Sequence, residues 1–232
     1  MRHPTQKEYA HERLGERFRT ALSDYDTQRR LEVLVDEFLG QKLSGRTVLE
    51  VGAGLGFFSE RLQKCGAAVT ATDIGENMLQ SIRETIGCHC EFVDALSLKE
   101  HFGPNRFDIV VSSECIEHTP DPIEAVRQMV AVLKPGGYIA LSTPNYVWYP
   151  VVRAATFLKL RPFDGFENFS SFRLIRKTLQ DAGINVLRES GLHLFPFQLP
   201  FHSFSRWCDV HLQVARGLMI NICMLGQKGY CV

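Results

Sequence analysis

Seven residues, Glu50-Val51-Gly52-Ala53-Gly54-Leu55-Gly56, put one carboxylate and three glycines on a short stretch. Glycine reaches positive φ without strain and lets a ligand lie against bare main chain. An apolar run, Thr47–Val51, precedes the stretch, and an amphipathic segment, Phe57–Cys65, follows it. That order reads as a buried strand, a glycine turn and the start of a helix. The third glycine falls two residues after the second, which departs from the Gly-x-Gly-x-x-Gly spacing of dinucleotide sites. Leu55 and Phe57 also crowd the helix N-terminus that a pyrophosphate needs. Asp73, 23 positions after Glu50, ends the next apolar run and can accept from two ribose hydroxyls at once. Asp94 ends the third run, placed to accept from an exocyclic amine such as that of adenine. One aspartate at a strand end is commonly a turn residue or a helix cap; acidic residues at three successive strand ends are hard to ascribe to capping. A second polar cluster follows the fourth run: Ser113-Glu114-Cys115-Ile116-Glu117-His118. It sets a histidine, the side chain that moves protons near neutral pH, among carboxylates.

The elements that must hold these groups alternate. Strands are expected at Thr47–Val51, Ala68–Thr72, Cys90–Val93, Phe107–Ser112 and Tyr138–Ser142, and helices at Phe57–Cys65, Glu76–Thr85 and Asp121–Leu133. Asp121 caps the last of these and Pro122 suits its first turn; Lys134-Pro135-Gly136-Gly137 turns the chain into the fifth strand. Repeated βα units imply an α/β, doubly wound, mostly parallel sheet whose ligands bind beyond the carboxyl ends of the strands. Before it, Thr5–Leu43 reads as a helical cap with a buried stripe at Leu31, Leu34, Val35, Phe38 and Leu39, ended by Gly40. After it come an aromatic insertion from Pro144, a helix over Phe172–Ala182, a strand over Ile184–Glu189, a second insertion from His193 to about Arg216, and a last strand at Leu218–Leu225. This divides one domain, 1–232, into a cap (1–44), a binding core (45–145), insertions with one helix and strand (146–216) and a closing strand (217–232).

Lys plus Arg equals Asp plus Glu at 26 each, so the chain lacks the basic balance of a large nucleic-acid footprint. Polar Met1–Lys7 shows no secretory apolar stretch, and no run approaches a membrane span. Seven cysteines without a paired framework point to free thiols and a cytoplasmic setting. Cys88-His89-Cys90 has no second Cys/His pair at zinc spacing and reads as a strand-edge coincidence.

Glu50–Gly56, Ala71-Thr72-Asp73-Ile74, Phe92-Val93-Asp94-Ala95, Phe107-Asp108-Ile109-Val110 and Leu133-Lys134-Pro135-Gly136-Gly137 together resemble the class I S-adenosylmethionine-dependent methyltransferases over roughly 45–145. The resemblance implies a Rossmann-like, seven-stranded sheet whose last strand is antiparallel. It also implies S-adenosyl-L-methionine as cofactor. Gly52, Gly54 and Gly56 would pass under its methionine part with Glu50 holding the loop. Asp73 would bind the ribose, Asp94 and the Ala95 backbone the adenine, Ile74 would pack on the adenine face, and Ser113 would reach the methionine end. The segment Ser113–Pro122 is similar to the Glu-x-x-Glu-His segment of ubiquinone-biosynthesis O-methyltransferases and of RNA 3′-terminal 2′-O-methyltransferases, which implies a role at the acceptor. His118, beside Glu117, is then the natural general base, as against a mere cap of the following turn; Cys115 lacks a base partner and reads as core. Glu114, Glu117 and His118 offer ligands for a divalent metal, as in the RNA enzymes. Those enzymes add a further histidine after a Ser-Thr-Pro-Asn-like segment, and Arg161–Asn168 has none.

Nine of the sixteen phenylalanines lie between Phe157 and Phe204. The two insertions are therefore expected to cap the acceptor, with Phe163, Phe195 and Phe197 among the lid residues. The expected acceptor is a lipophilic or aromatic small molecule methylated on oxygen, and a peripheral membrane contact stays open. An RNA ribose methyltransferase and a non-catalytic cofactor-binding subunit are the alternatives.

Overall fold

A computed structural model describes residues 24–158, 167–197 and 201–230. The expected helix before Asp24, and Phe163 and Phe166 of the first insertion, lie outside them. The chain enters along α1 (Asp24–Leu31), continues through wider π-type turns (Glu32–Leu39), and stops at Gly40, whose φ is +46°. The stripe read from the sequence is the face this helix buries: Leu31, Leu34, Val35, Phe38 and Leu39 are all in the core.

Seven strands then form one sheet: β1 (Thr47–Val51), β2 (Ala68–Asp73), β3 (His89–Phe92), β4 (Phe107–Ser113), β5 (Leu133–Pro144), β6 (Ile184–Leu192) and β7 (Asn221–Lys228). Their spatial order is 3-2-1-4-5-7-6. β1 to β5 run parallel, and β7 runs antiparallel to both neighbours, β5 and β6. Side chains of β4 alternate between two cores, Ile109 and Val111 to one face and Val110 to the other. The first face is covered by α1 with its π-type extension, α2 (Phe57–Lys64) and α3 (Glu76–Thr85); the second by α4 (Leu98–Phe102), α5 (Pro122–Val132) and, after α6 (Tyr149–Phe157), by α7 (Phe172–Asp181). A short α8 (His202–His211) completes the second insertion.

The largest departures from the sequence reading fall in β5, β6 and β7. Lys134–Gly137 does not stand apart as a turn but joins β5 across a bulge, because Gly136 takes φ +77° and Lys134 Nζ donates to Asp108 Oδ1 of β4 at 3.0 Å. β6 runs on to Leu192, three residues past Glu189. β7 begins at Asn221 rather than Leu218. Leu218 ends a 3₁₀ turn (Gln213–Leu218), where its carbonyl accepts from Trp148 Nε1 at 2.8 Å. Among the described residues no helix is long and apolar enough to cross a membrane.

Candidate donor and acceptor cleft

The carboxyl ends of β1, β2 and β4 and the loop after β3 open onto one cleft of about 290 Å³. Every donor-binding and catalytic residue singled out in the sequence lines it except Gly56. The glycine turn is fastened to β2: Gly52 N–H and Ala53 N–H both donate to the Thr72 carbonyl at 2.9 Å, and Thr72 Oγ1 donates back to the Glu50 carbonyl at 2.8 Å. Gly52 sits at φ +76°, with Cys115 packed where a Cβ would stand. Gly56, at φ +81°, meets Ile82 and Ile86 of the α3 region instead of the cleft. Asp73 closes the turn, Oδ2 accepting Gly54 N–H at 2.8 Å and Oδ1 accepting Gly75 N–H at 2.9 Å. Asp94 Oδ1 accepts Leu96 N–H at 2.8 Å, which orients that carboxylate at the end of β3.

On the other wall, Glu114 leaves β4 at φ +51° and a 3₁₀ turn, Ile116–His118, carries the histidine. Asn168 straps this turn: its backbone N–H donates to the Glu117 carbonyl and its Nδ2 to the Thr119 carbonyl, each at 2.8 Å. Glu117 is buried beneath the turn; Oε2 accepts from Thr143 Oγ1 at 3.0 Å, and Oε1 lies 3.8 Å from His118 Nε2. Glu114 Oε1 accepts from Ser142 Oγ at 2.9 Å. Ser113 Oγ lies 3.0 Å from Ser142 Oγ. Burial pushes the Cys115 thiol far up, in keeping with a core residue rather than a nucleophile. Glu114, Glu117 and His118 share this wall, and among the described residues no group of three or more His, Cys, Asp and Glu side chains is arranged to hold a metal ion.

Three of these carboxyls hold their protons unusually well. Burial raises Glu50 to about 8, with the Asp73 charge adding to it and the Ser59 hydroxyl working against it. Burial raises Glu114 to about 8, helped by Glu117 and opposed by Arg30. Burial raises Glu117 to about 7. A folded-state value above the unfolded one means that the fold binds the proton more tightly. The stabilisation is full below the unfolded value of 4.5 and drains away as pH rises through 7 to 8. The melting temperature of the ligand-free protein should therefore fall by several degrees, on the order of what a unit or two of pKa shift delivers, between about pH 5.5 and 8.5. Glu50→Gln should flatten that slope in a calorimetric pH series; an unchanged slope would remove Glu50 from the account.

Among the cleft residues that the sequence reading did not single out are Asp26, Thr27 and Arg30 from α1 and Glu167 from the first insertion; Phe169, one of that insertion's aromatics, also lines it. Arg30 is the only lysine or arginine lining the cleft among the described residues. It is buried, with Nε and Nη2 donating to Asp26 Oδ2 at 3.1 and 2.9 Å and Nη1 donating to Ser113 Oγ at 2.6 Å. The signal was present as an i, i+4 acid–base pair on the buried side of α1. Of the expected lid aromatics, Phe163 lies outside the described residues. Phe195 and Phe197 do not line the cleft; Phe195 packs on Phe204, and Phe197 faces His193 edge-on. Phe169 takes the place expected for them, its ring against Tyr149 at 5.6 Å.

A family model described as a methyltransferase domain matches residues 23–189. A ubiquinone biosynthesis O-methyltransferase from Pseudomonas paraeruginosa is 34% identical over 176 residues, covering 70% of this chain and 73% of that protein. One of the same name from Coxiella burnetii is 30% identical over 173 residues, covering 68% and 72%. Among solved structures, magnesium protoporphyrin IX methyltransferase from Synechocystis PCC 6803 with bound SAH superposes with a TM-score of 0.69 at 16% identity, covering 97% of this chain and 98% of that one. An S-adenosylmethionine dependent methyltransferase from Mesorhizobium loti gives 0.60 at 18% identity, covering 80% and 92%.

Proposed function

This chain belongs to the class I S-adenosylmethionine-dependent methyltransferases, and from that premise we propose that it methylates an oxygen of a lipophilic or aromatic small molecule, with His118 as general base. One observation carries the reading: His118 and the strand-end aspartates line the same cleft. The residues fit the donor. Asp73 takes the two ribose hydroxyls while its bonds to Gly54 and Gly75 keep the carboxylate fixed. Asp94 and the Ala95 backbone hold the adenine edge, with Ile74 on its face. Arg30, as the sole guanidinium or ammonium on the cleft wall among the described residues, receives the amino-acid carboxylate. S-adenosylmethionine, when bound, supplies an electrophilic methyl group on a sulfonium.

What remains for the protein is alignment and one proton. His118 takes the proton from the acceptor hydroxyl. Buried Glu117, 3.8 Å away, steadies the imidazolium that results, and Asn168 and Thr143 keep the turn and Glu117 in place. The curated relatives named for ubiquinone biosynthesis support a lipophilic phenolic or quinol acceptor. Pro144 and Phe169 offer such a molecule an apolar wall.

Labelled-methyl transfer to quinol, phenol, sugar and short-RNA acceptors, each with and without chelator, tests the proposal. Transfer to a lipophilic phenol or quinol is the expected result; transfer confined to RNA overturns it. In the same assay Phe169→Ala should raise the acceptor KM about tenfold, in line with the loss of one buried aromatic contact, and leave the donor KM alone. An acceptor KM that does not move would take Phe169 out of the acceptor site.

A further inference from the structure

A buried file of polar groups runs from the second insertion to the cleft, and the chemistry above leaves its far end unused. Asp209 of α8 accepts the backbone N–H groups of His193 and Leu194 at 2.9 and 3.3 Å. This pins a turn in which His193, a non-glycine residue, stands at φ +61°. The His193 ring is fully buried, and its Nε2 lies 3.0 Å from Asp26 Oδ1. Arg30 and His193 hold the Asp26 carboxyl below its ordinary value against the effect of burial, so Asp26 accepts and Nε2 donates. Asp26 Oδ2 in turn takes two N–H groups of Arg30. Asp26 and Arg30 line the cleft; His193 and Asp209 do not. At the outer end, His193 Nδ1 and Asp209 Oδ2 are 3.9 Å apart and neither has a hydrogen-bond partner among the described residues.

We propose that His193 is a positioning residue for the methyl donor: by holding Asp26 it fixes the Arg30 guanidinium at the place where the donor's carboxylate is received, and so ties the second insertion to donor binding. This rests on the reading of Arg30 given under the proposed function. A guanidinium on a long side chain has many rotamers, and a planar fork binds a carboxylate well only when it is held in one of them. Asp26 restricts Arg30, and Asp26 is itself kept in place by a donor from a segment 167 residues away in sequence. Without that donor the Asp26–Arg30 pair loses one of the contacts that hold it, and the loss falls on the carboxylate end of the ligand.

That selectivity is the test. S-adenosylhomocysteine carries the amino-acid carboxylate; 5′-methylthioadenosine keeps the adenine, ribose and thioether and lacks it. In calorimetric titrations of the full chain, His193→Ala should weaken S-adenosylhomocysteine about tenfold and leave 5′-methylthioadenosine within about twofold, as loss of one held charge-assisted contact requires. His193→Gln, whose amide N–H can reach Asp26, should recover most of the lost affinity. Equal losses for both ligands, no loss for either, or a Gln variant as weak as the Ala variant would each overturn the proposal. His193→Met, of similar volume but without a donor, replaces the Ala variant if that one does not fold. Asp73→Asn should weaken both ligands alike. If it changes neither, the donor reading of the cleft fails, independently of His193.

Discussion

Replacing Asp73 with alanine weakens binding of S-adenosylhomocysteine by about 10²- to 10⁴-fold, the expected loss of two charge-assisted hydrogen bonds at roughly 1.5–3 kcal/mol each. The two oxygens act on both sides of the contact. Toward the protein, they take Gly54 N–H at 2.8 Å and Gly75 N–H at 2.9 Å, which keeps the glycine turn and the start of α3 in fixed relation. Toward the ligand, the remaining lone pairs meet the ribose hydroxyls. Asp73→Asn keeps one oxygen and should fall between wild type and alanine. A second consequence separates this account from simple unfolding. Burial raises Glu50 and the Asp73 charge adds to it, so in Asp73→Ala the Glu50 carboxyl should ionise at lower pH. The fall in melting temperature that Glu50 contributes should then be smaller and level off at lower pH. Calorimetric affinity within twofold of wild type for Asp73→Ala would end the reading of this cleft as a donor site.

Much of this cleft is legible in the sequence, for a physical reason. Residues at strand ends are placed by local rules: period-two burial locates a strand, and the first acidic residue after it must face the carboxyl edge. Glu50, Asp73 and Asp94 follow from that, and Glu114 to His118 from the same argument at β4. Arg30 and Asp26 do not, since their place in the cleft depends on how α1 lies across the sheet. The apolar stripe says that α1 packs; it does not say which of its polar residues is carried to the strand ends. Gly56 illustrates the reverse error. Its spacing matches a cofactor loop, but its freedom at φ +81° serves the close approach of Ile82 and Ile86. Both roles call for glycine, so sequence alone does not separate them. The lid aromatics failed differently: composition marks Phe169, Phe195 and Phe197 equally, and only the course of the insertions decides that Phe169 reaches the cleft. β7 slipped by three residues because Leu218 and Met219 prolong an apolar pattern whose first part the Trp148 contact holds in a 3₁₀ turn.

His118→Ala separates chemistry from binding. It should lower kcat by about 10²- to 10⁴-fold, the usual worth of a positioned base, while affinity for S-adenosylhomocysteine stays within about twofold, since the donor-side contacts named above come from Asp73, Asp94 and Arg30. The neighbouring carboxylate gives the prediction its second arm. Glu117 is buried and raised to about 7, so the charge it presents to the imidazole 3.8 Å away changes across the neutral range. Below that range Glu117 is neutral and lends His118 no charge; above it, the carboxylate steadies the imidazolium that forms as the acceptor loses its proton. In Glu117→Gln that support is gone. The protonated base is disfavoured, and the acid limb of the kcat profile moves to lower pH while the plateau drops. Glu117→Gln also keeps a side-chain oxygen to accept from Thr143, so the 3₁₀ turn and its strap through Asn168 should persist. A His118→Ala enzyme with a wild-type acid limb and a kcat within a few-fold of wild type would mean that the proton leaves by another route. An acid limb that moves upward in Glu117→Gln would reverse the electrostatic sense of the pair.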